Sequence, residues 1–85
     1  MARSLVELWT SVPPGERDAF VARARTRQAV LGEIGVSYWV FERTDRPGDI
    51  VEYVEARDPV TLARARALLD LQGDEHDVTL HQLEL

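Results

Sequence analysis

Apolar residues recur along this chain with two different spacings, and the spacing changes at proline and glycine. Leu5 to Thr10, LVELWT, is short and rich in strand-favouring residues, and Ser11-Val12-Pro13-Pro14-Gly15 follows it, so a first strand is expected there. Pro14 pushes Pro13 out of the helical region but itself suits a first helical position. Glu16 and Asp18 then stand where the positive end of a helix dipole favours acids. A helix is expected from Pro14 to about Leu31, with Gly32 and Gly35 as candidate stops. On its wheel Phe20, Ala24, Leu31 and Ile34 share one arc, flanked by Val21 and Val30. Arg27 falls inside that arc and Arg23 at its edge, while Arg17 and Arg25 point elsewhere.

Val36 to Arg43 and Asp49 to Ala56 return to the two-residue spacing of strands. Thr44-Asp45-Arg46-Pro47-Gly48 joins them with a Pro-Gly turn signal. Asp58-Pro59 opens a second helix, with Asp58 as N-cap and Pro59 at the first position. Leu62, Ala65 and Leu69 line one stripe of it, Arg64 and Arg66 lie off it, and Gly73 is a suitable terminator. Val78 to Leu85, VTLHQLEL, alternates again and reads as a last strand. The order is βαββαβ, the split pattern of an α+β, ferredoxin-like fold. Right-handed crossovers give a four-stranded antiparallel sheet in the order 4-1-3-2 with both helices on one face. Residues 1–85 form a single domain, without repeats or linkers.

A helix-covered face is expected to lack charge in mid-strand. That rule selects Val6 and Leu8, Trp39 and Phe41, and Val51 and Tyr53 for the covered face. The opposite face would then carry Leu5, Glu7, Trp9, Tyr38, Val40, Glu42, Ile50, Glu52 and Val54, which is apolar enough to suggest a partner surface. Glu7 and Glu52 are expected on adjacent strands and close together. Three readings of these acids stay open: solvated charges that deter aggregation, interface charges, or catalytic groups.

Composition narrows the rest. A domain of 85 residues buries only about 60–65% of its unfolded surface, so covering apolar surface with a second subunit is an economical route to stability. There is no cysteine, which removes disulfides, thiolate catalysis and cysteine-bound zinc and suits a reducing cytoplasm. Charged residues make up 29% and the net charge is −5, which argues against binding phosphate backbones. No stretch approaches the roughly 18 apolar residues of a membrane span. All ten basic residues are arginine.

The aromatic hairpin YWVFER…PGDIVEYVEA, the element order, the size and an apolar-acidic open face together resemble the dimeric α+β barrel superfamily, which includes antibiotic-biosynthesis-monooxygenase-like proteins. The resemblance covers about residues 4 to 85. It implies two subunits packed sheet against sheet, with a small hydrophobic ligand held between sheet and helices of each. On that basis Leu5, Glu7, Trp9, Val40, Glu42, Ile50, Glu52 and Val54 are expected at a homodimer interface. The cofactor-free oxygenases of that superfamily use asparagine, tryptophan and histidine, and this chain contains no asparagine.

Candidate chemistry is sparse. Arg27 either reaches out to water or pairs with an anion, which is foremost a structural Asp or Glu and second a ligand carboxylate. Tyr38, Trp39 and Tyr53 are core aromatics or pocket walls for a planar ligand. His81 in the last strand is a surface residue or, given a hydrogen-bonded partner, a general base. Asp74-Glu75-His76-Asp77 reads as a solvated acidic turn, because adjacent residues do not converge on one ion. No metal site or cofactor is expected. The leading expectation is a homodimeric small-molecule-binding or assembly module without catalysis of its own. The alternative is a cofactor-free monooxygenase or isomerase acting on a small aromatic or polyketide-like substrate, which requires an enclosed cleft uniting at least two of these polar groups. A regulatory ligand-binding domain of the ACT type, with the same topology, ranks third.

Overall fold

The computed structural model describes residues 3–69 and 77–83. It comprises strand β1 (Ser4–Ser11), helix α1 (Arg17–Glu33), strands β2 (Ser37–Glu42) and β3 (Asp49–Ala56), helix α2 (Pro59–Leu68) and strand β4 (Asp77–His81). The strands form one antiparallel sheet in the order β2-β3-β1-β4, the expected 4-1-3-2 read from its other edge. Helix α1 packs on β2, and α2 packs on β1 and β3. The fold is ferredoxin-like. Gly73, Asp74, Glu75 and His76 lie outside the described residues, as do Glu84 and Leu85 at the end of the expected last strand. No helix among the described residues is long and apolar enough to cross a membrane.

Local chemistry sets the element ends. Pro14 starts a single 3-10 turn, closed by the Glu16 N–H donating to the Pro13 carbonyl at 2.9 Å, and the α-helix proper begins only at Arg17. Gly32 is helical. Gly35 is the stop, at φ +73°, where a side chain would be strained, and the Val36 N–H reaches back to the Leu31 carbonyl at 3.0 Å. Asp58 caps α2 as expected by accepting the Thr61 N–H at 2.7 Å.

Gly48 has a stronger reason to be glycine. Its φ is +98°, and a Cβ there would lie 2.8 Å from the Val12 carbonyl oxygen. Its own carbonyl accepts the Val12 N–H at 2.7 Å, which ties the β2–β3 turn to the end of β1. Gly48→Ala is therefore expected to destabilise the domain by roughly 1–3 kcal/mol or more, read as a lower urea midpoint. An unchanged midpoint would mean that the turn shifts freely.

The core lies between sheet and helices. Val6, Leu8, Val54 and Ala56 of the sheet meet Leu31, Leu62 and Ala65 of the helices, with Val36 and Tyr38 completing the cluster. Val12, Phe20 and Ile50 form a smaller cluster under the start of α1.

Pairing corrects the expected faces of two strands. Val6 stands opposite Val54 and Leu8 opposite Glu52, while Val54 also faces Tyr38 and Glu52 faces Val40. Directly opposed residues share a face. Tyr38, Val40, Glu42, Ile50, Glu52 and Val54 therefore belong to the helix-bearing side, not to the open side. Trp39, Phe41, Val51 and Tyr53 take their place on the open face, beside Leu5, Glu7 and Trp9, whose side was read correctly. Glu7 opposes Tyr53, so Glu7 and Glu52 project to opposite faces and are not a pair.

The avoidance of charge misled because each parity of β3 carries an acid: Glu52 with Ile50 and Val54, or Asp49 and Glu55 with Val51 and Tyr53. A one-residue change of register exchanges the two sets completely.

Candidate functional site

Helix α1 crosses the sheet with Phe20, Ala24, Arg27, Leu31 and Ile34 turned inward, the arc that a 3.6-residue period places together. Arg27 meets the mid-strand acid of β3 there. Its Nη1 donates to Glu52 Oε1 at 2.8 Å, and the Tyr38 hydroxyl donates to the same oxygen. Glu52 is only 3% exposed. An isolated carboxylate at that depth would be too costly to keep ionised, and the guanidinium and the phenol together supply what water would have supplied. Burial and then the Glu52 charge push the Tyr38 hydroxyl well above the usual phenol range, so it remains a protonated donor.

Grooves open to solvent flank α1. One, of about 410 Å³, lies between α1 and β2 and is bordered by Phe20, Ala24, Tyr38, Trp39 and Phe41. The other, of about 420 Å³, lies between α1 and α2 and is bordered by Ala22, Arg23, Arg27, Val30, Leu68 and Leu69. Arg27 and Tyr38 thus share a carboxylate beneath the helix while bordering different grooves.

The other candidates are dispersed. Tyr53 is on the open face, with its ring edge-on to Phe41 at 5.8 Å and 71°. Partial burial and the Glu7 carboxylate hold its hydroxyl above the usual phenol range. His81 pairs with Ser4 across the sheet and borders a hollow of about 360 Å³ with Arg3, Leu5, Glu55 and Leu80. Of the five candidates only Tyr38 and Trp39 border one of these three hollows together, the groove between α1 and β2, and that groove is open to solvent rather than enclosed.

The open face has its own organisation. Trp9 is 44% exposed, Trp39 48%, Phe41 54% and Leu80 40%, a breadth of bare apolar surface unusual for a face simply left in water. Register places Trp9, Val51 and Phe41 in one row across the sheet and Glu7, Tyr53 and Trp39 in the next. The Trp9 indole N–H donates to Glu7, and Arg3 closes on Glu55 at 2.6 Å near the rim.

Glu42, expected at an interface, instead clamps the hairpin. Both its oxygens accept from Arg17, at 2.6 and 3.0 Å, and one also accepts the Gly48 N–H at 2.9 Å. Arg17 first and the Gly48 amide second hold the Glu42 carboxyl below its usual range. A depressed carboxylate stabilises the fold above its unfolded pKa and ceases to do so as pH falls through its folded value. Glu42→Gln is accordingly expected to lower the urea midpoint at pH 7, with the gap to the parent closing on acidification below the ordinary glutamate range. A gap that is constant with pH would remove the ionic part of the clamp.

Sequence reasoning allowed Arg27 a structural pair with an Asp or Glu but assigned Glu52 to a partner surface, so the partner itself was missed. The signal was present: an arginine on a core-facing arc that does not reach water needs an acid, and mid-strand Glu52 in the hairpin was available to it.

The geometry can be compared with solved proteins. A candidate antibiotic biosynthesis monooxygenase from Nitrosomonas europaea superposes with a TM-score of 0.71 at 14% identity, over 99% of this chain and 90% of the other. A conserved protein from Methanosarcina mazei Go1 superposes with a TM-score of 0.67 at 18% identity, over 96% of this chain and 91% of that one. A protein described as an antibiotic biosynthesis monooxygenase gives 0.67 at 14% identity, over 100% and 99%. This chain has their fold. No family model matches it, and no curated protein matches it either. At these identities the fold alone is what is shared.

Proposed function

We propose that this protein is a homodimeric α+β barrel that acts as a small-molecule-binding or assembly module, with two copies packed through their open sheet faces. The supporting observation is the set of exposed Trp9, Trp39, Phe41 and Leu80 on one face of a sheet whose other face is covered by helices. Burying these side chains against a second copy would add apolar burial to a domain whose small size limits what it can bury by itself. Glu7 and Tyr53 at its centre supply the polar contacts, and the Arg3–Glu55 pair lies nearer the rim. A small apolar ligand fits the helix side, in the groove between α1 and α2, which is bordered by none of the open-face residues. Light scattering after size exclusion at micromolar concentration is expected to give twice the 9.6 kDa chain mass. A monomer at that concentration would defeat the proposal.

A second reading, a cofactor-free monooxygenase or isomerase, draws on the fold likeness and on the protonated Tyr38 beside Glu52, against which stands the solvent-open groove that Tyr38 borders. Oxygen uptake with a polycyclic phenol, abolished by Tyr38→Phe, is the result that would promote it over the first.

A further inference from the structure

We infer that the groove between α1 and α2 is a binding site for the carboxylate of a small aliphatic acid, with Arg23 as its principal anchor. This rests on the reading that the helix side takes a small molecule, and it names the chemical class. Helices α1 and α2 each pack on the sheet, which leaves a gap between them. Its apolar walls are Ala22, Val30, Leu68 and Leu69, all aliphatic, whereas the groove on the other side of α1 is bordered by Phe20, Trp39 and Phe41. Leu68 is 51% exposed, apolar surface that a ligand's alkyl body would cover.

Charge selects the head group. Arg23 and Arg27 are one helical turn apart and border the same groove, an arrangement that repels unless anions answer both. Glu52 answers Arg27 through one Nη1 contact. Arg23 forms no ion pair among the described residues. Tyr38 is held protonated and adds no negative charge. Among the described residues, Arg23 therefore brings a positive charge without an ion-pair partner to the border of an aliphatic groove of about 420 Å³, a volume suited to a small ligand. A carboxylate accepts from a guanidinium fork in two parallel hydrogen bonds, so Arg23 favours an acid over an alcohol of equal length.

The test uses the whole chain with sodium octanoate and 1-octanol as probes, at low ionic strength, by calorimetric titration and amide chemical-shift mapping. Octanoate is expected to bind at least about tenfold more tightly than octanol and to weaken as salt screens the contact. Shifts are expected to concentrate on residues 22–30 and at Leu68 and Leu69. Arg23→Gln should bring octanoate down to the octanol level with an unchanged melting temperature, and Ala22→Glu should abolish octanoate binding by repulsion. Equal binding of both probes, or shifts confined to the α1–β2 groove or the open face, overturns the inference and leaves the small-molecule reading standing. Binding of neither probe overturns both.

Discussion

Arg27→Met is expected to destabilise the domain by about 3–5 kcal/mol, in the lower half of that range, because its guanidinium side chain is 29% exposed whereas Glu52 is nearly fully buried. The loss arises less from the missing attraction than from what remains: a buried carboxyl group under α1 with only a phenol for company. A domain of this size has a total stability of roughly 5–15 kcal/mol, so the variant should unfold at a much lower urea concentration. Changing all three groups tells a different story. Arg27→Met, Glu52→Leu and Tyr38→Phe together remove the charges and the donor at once and leave an apolar junction of similar volume. That triple variant is expected to recover most of the loss, because a buried ion pair is often no more stabilising than well-packed apolar side chains. Equilibrium urea unfolding of the single and triple variants checks both statements. A single variant within about 1 kcal/mol of the parent would mean that water reaches Glu52 and that the acid needs no partner.

Trp9→Glu should halve the mass seen by light scattering, from twice the 9.6 kDa chain mass to the chain mass itself, without unfolding the subunit. Trp9 is 44% exposed in the isolated chain, so the subunit's own core does not depend on it. In a face-to-face pair the indole would be covered, and the new acid would stand beside Glu7 and be forced out of water with it. Like charges so placed oppose association by several kcal/mol. Far-UV circular dichroism of the variant should match the parent, which separates failed assembly from failed folding. A dimer that survives this change would move the interface elsewhere on the molecule.

The arginine–glutamate–tyrosine cluster and the exposed aromatic face lie on opposite sides of the sheet. Tyr38 and Trp39 are neighbours in sequence, yet one hydroxyl donates to a buried acid under α1 while the other ring is bare on the far side of the sheet. The same holds for Glu52 and Tyr53. Residues of the helix-bearing side and of the open face thus alternate along the β2–β3 hairpin, so a one-residue deletion within either strand would exchange the two sets.

Much of the architecture was legible from local signals. Strand and helix periods, Asp58-Pro59 at the head of α2, Gly35 after α1 and the Pro47-Gly48 turn each act over a few residues, and together they prescribed βαββαβ and a ferredoxin-like sheet. Arg27 on the inward arc of α1 was legible for the same reason. What the alternation along β2 and β3 left open was parity. It shows that even and odd residues part company, but not which set meets the helices, and the acids in both sets of β3 made charge a poor guide. Only tertiary structure decided this, through pairing of β3 with β1, the tie between Gly48 and Val12, and an arginine 25 residues before Glu52 that makes its burial tolerable. The cost of burying a charge depends on what stands opposite it in space, and that neighbour is not encoded in the strand that carries the charge.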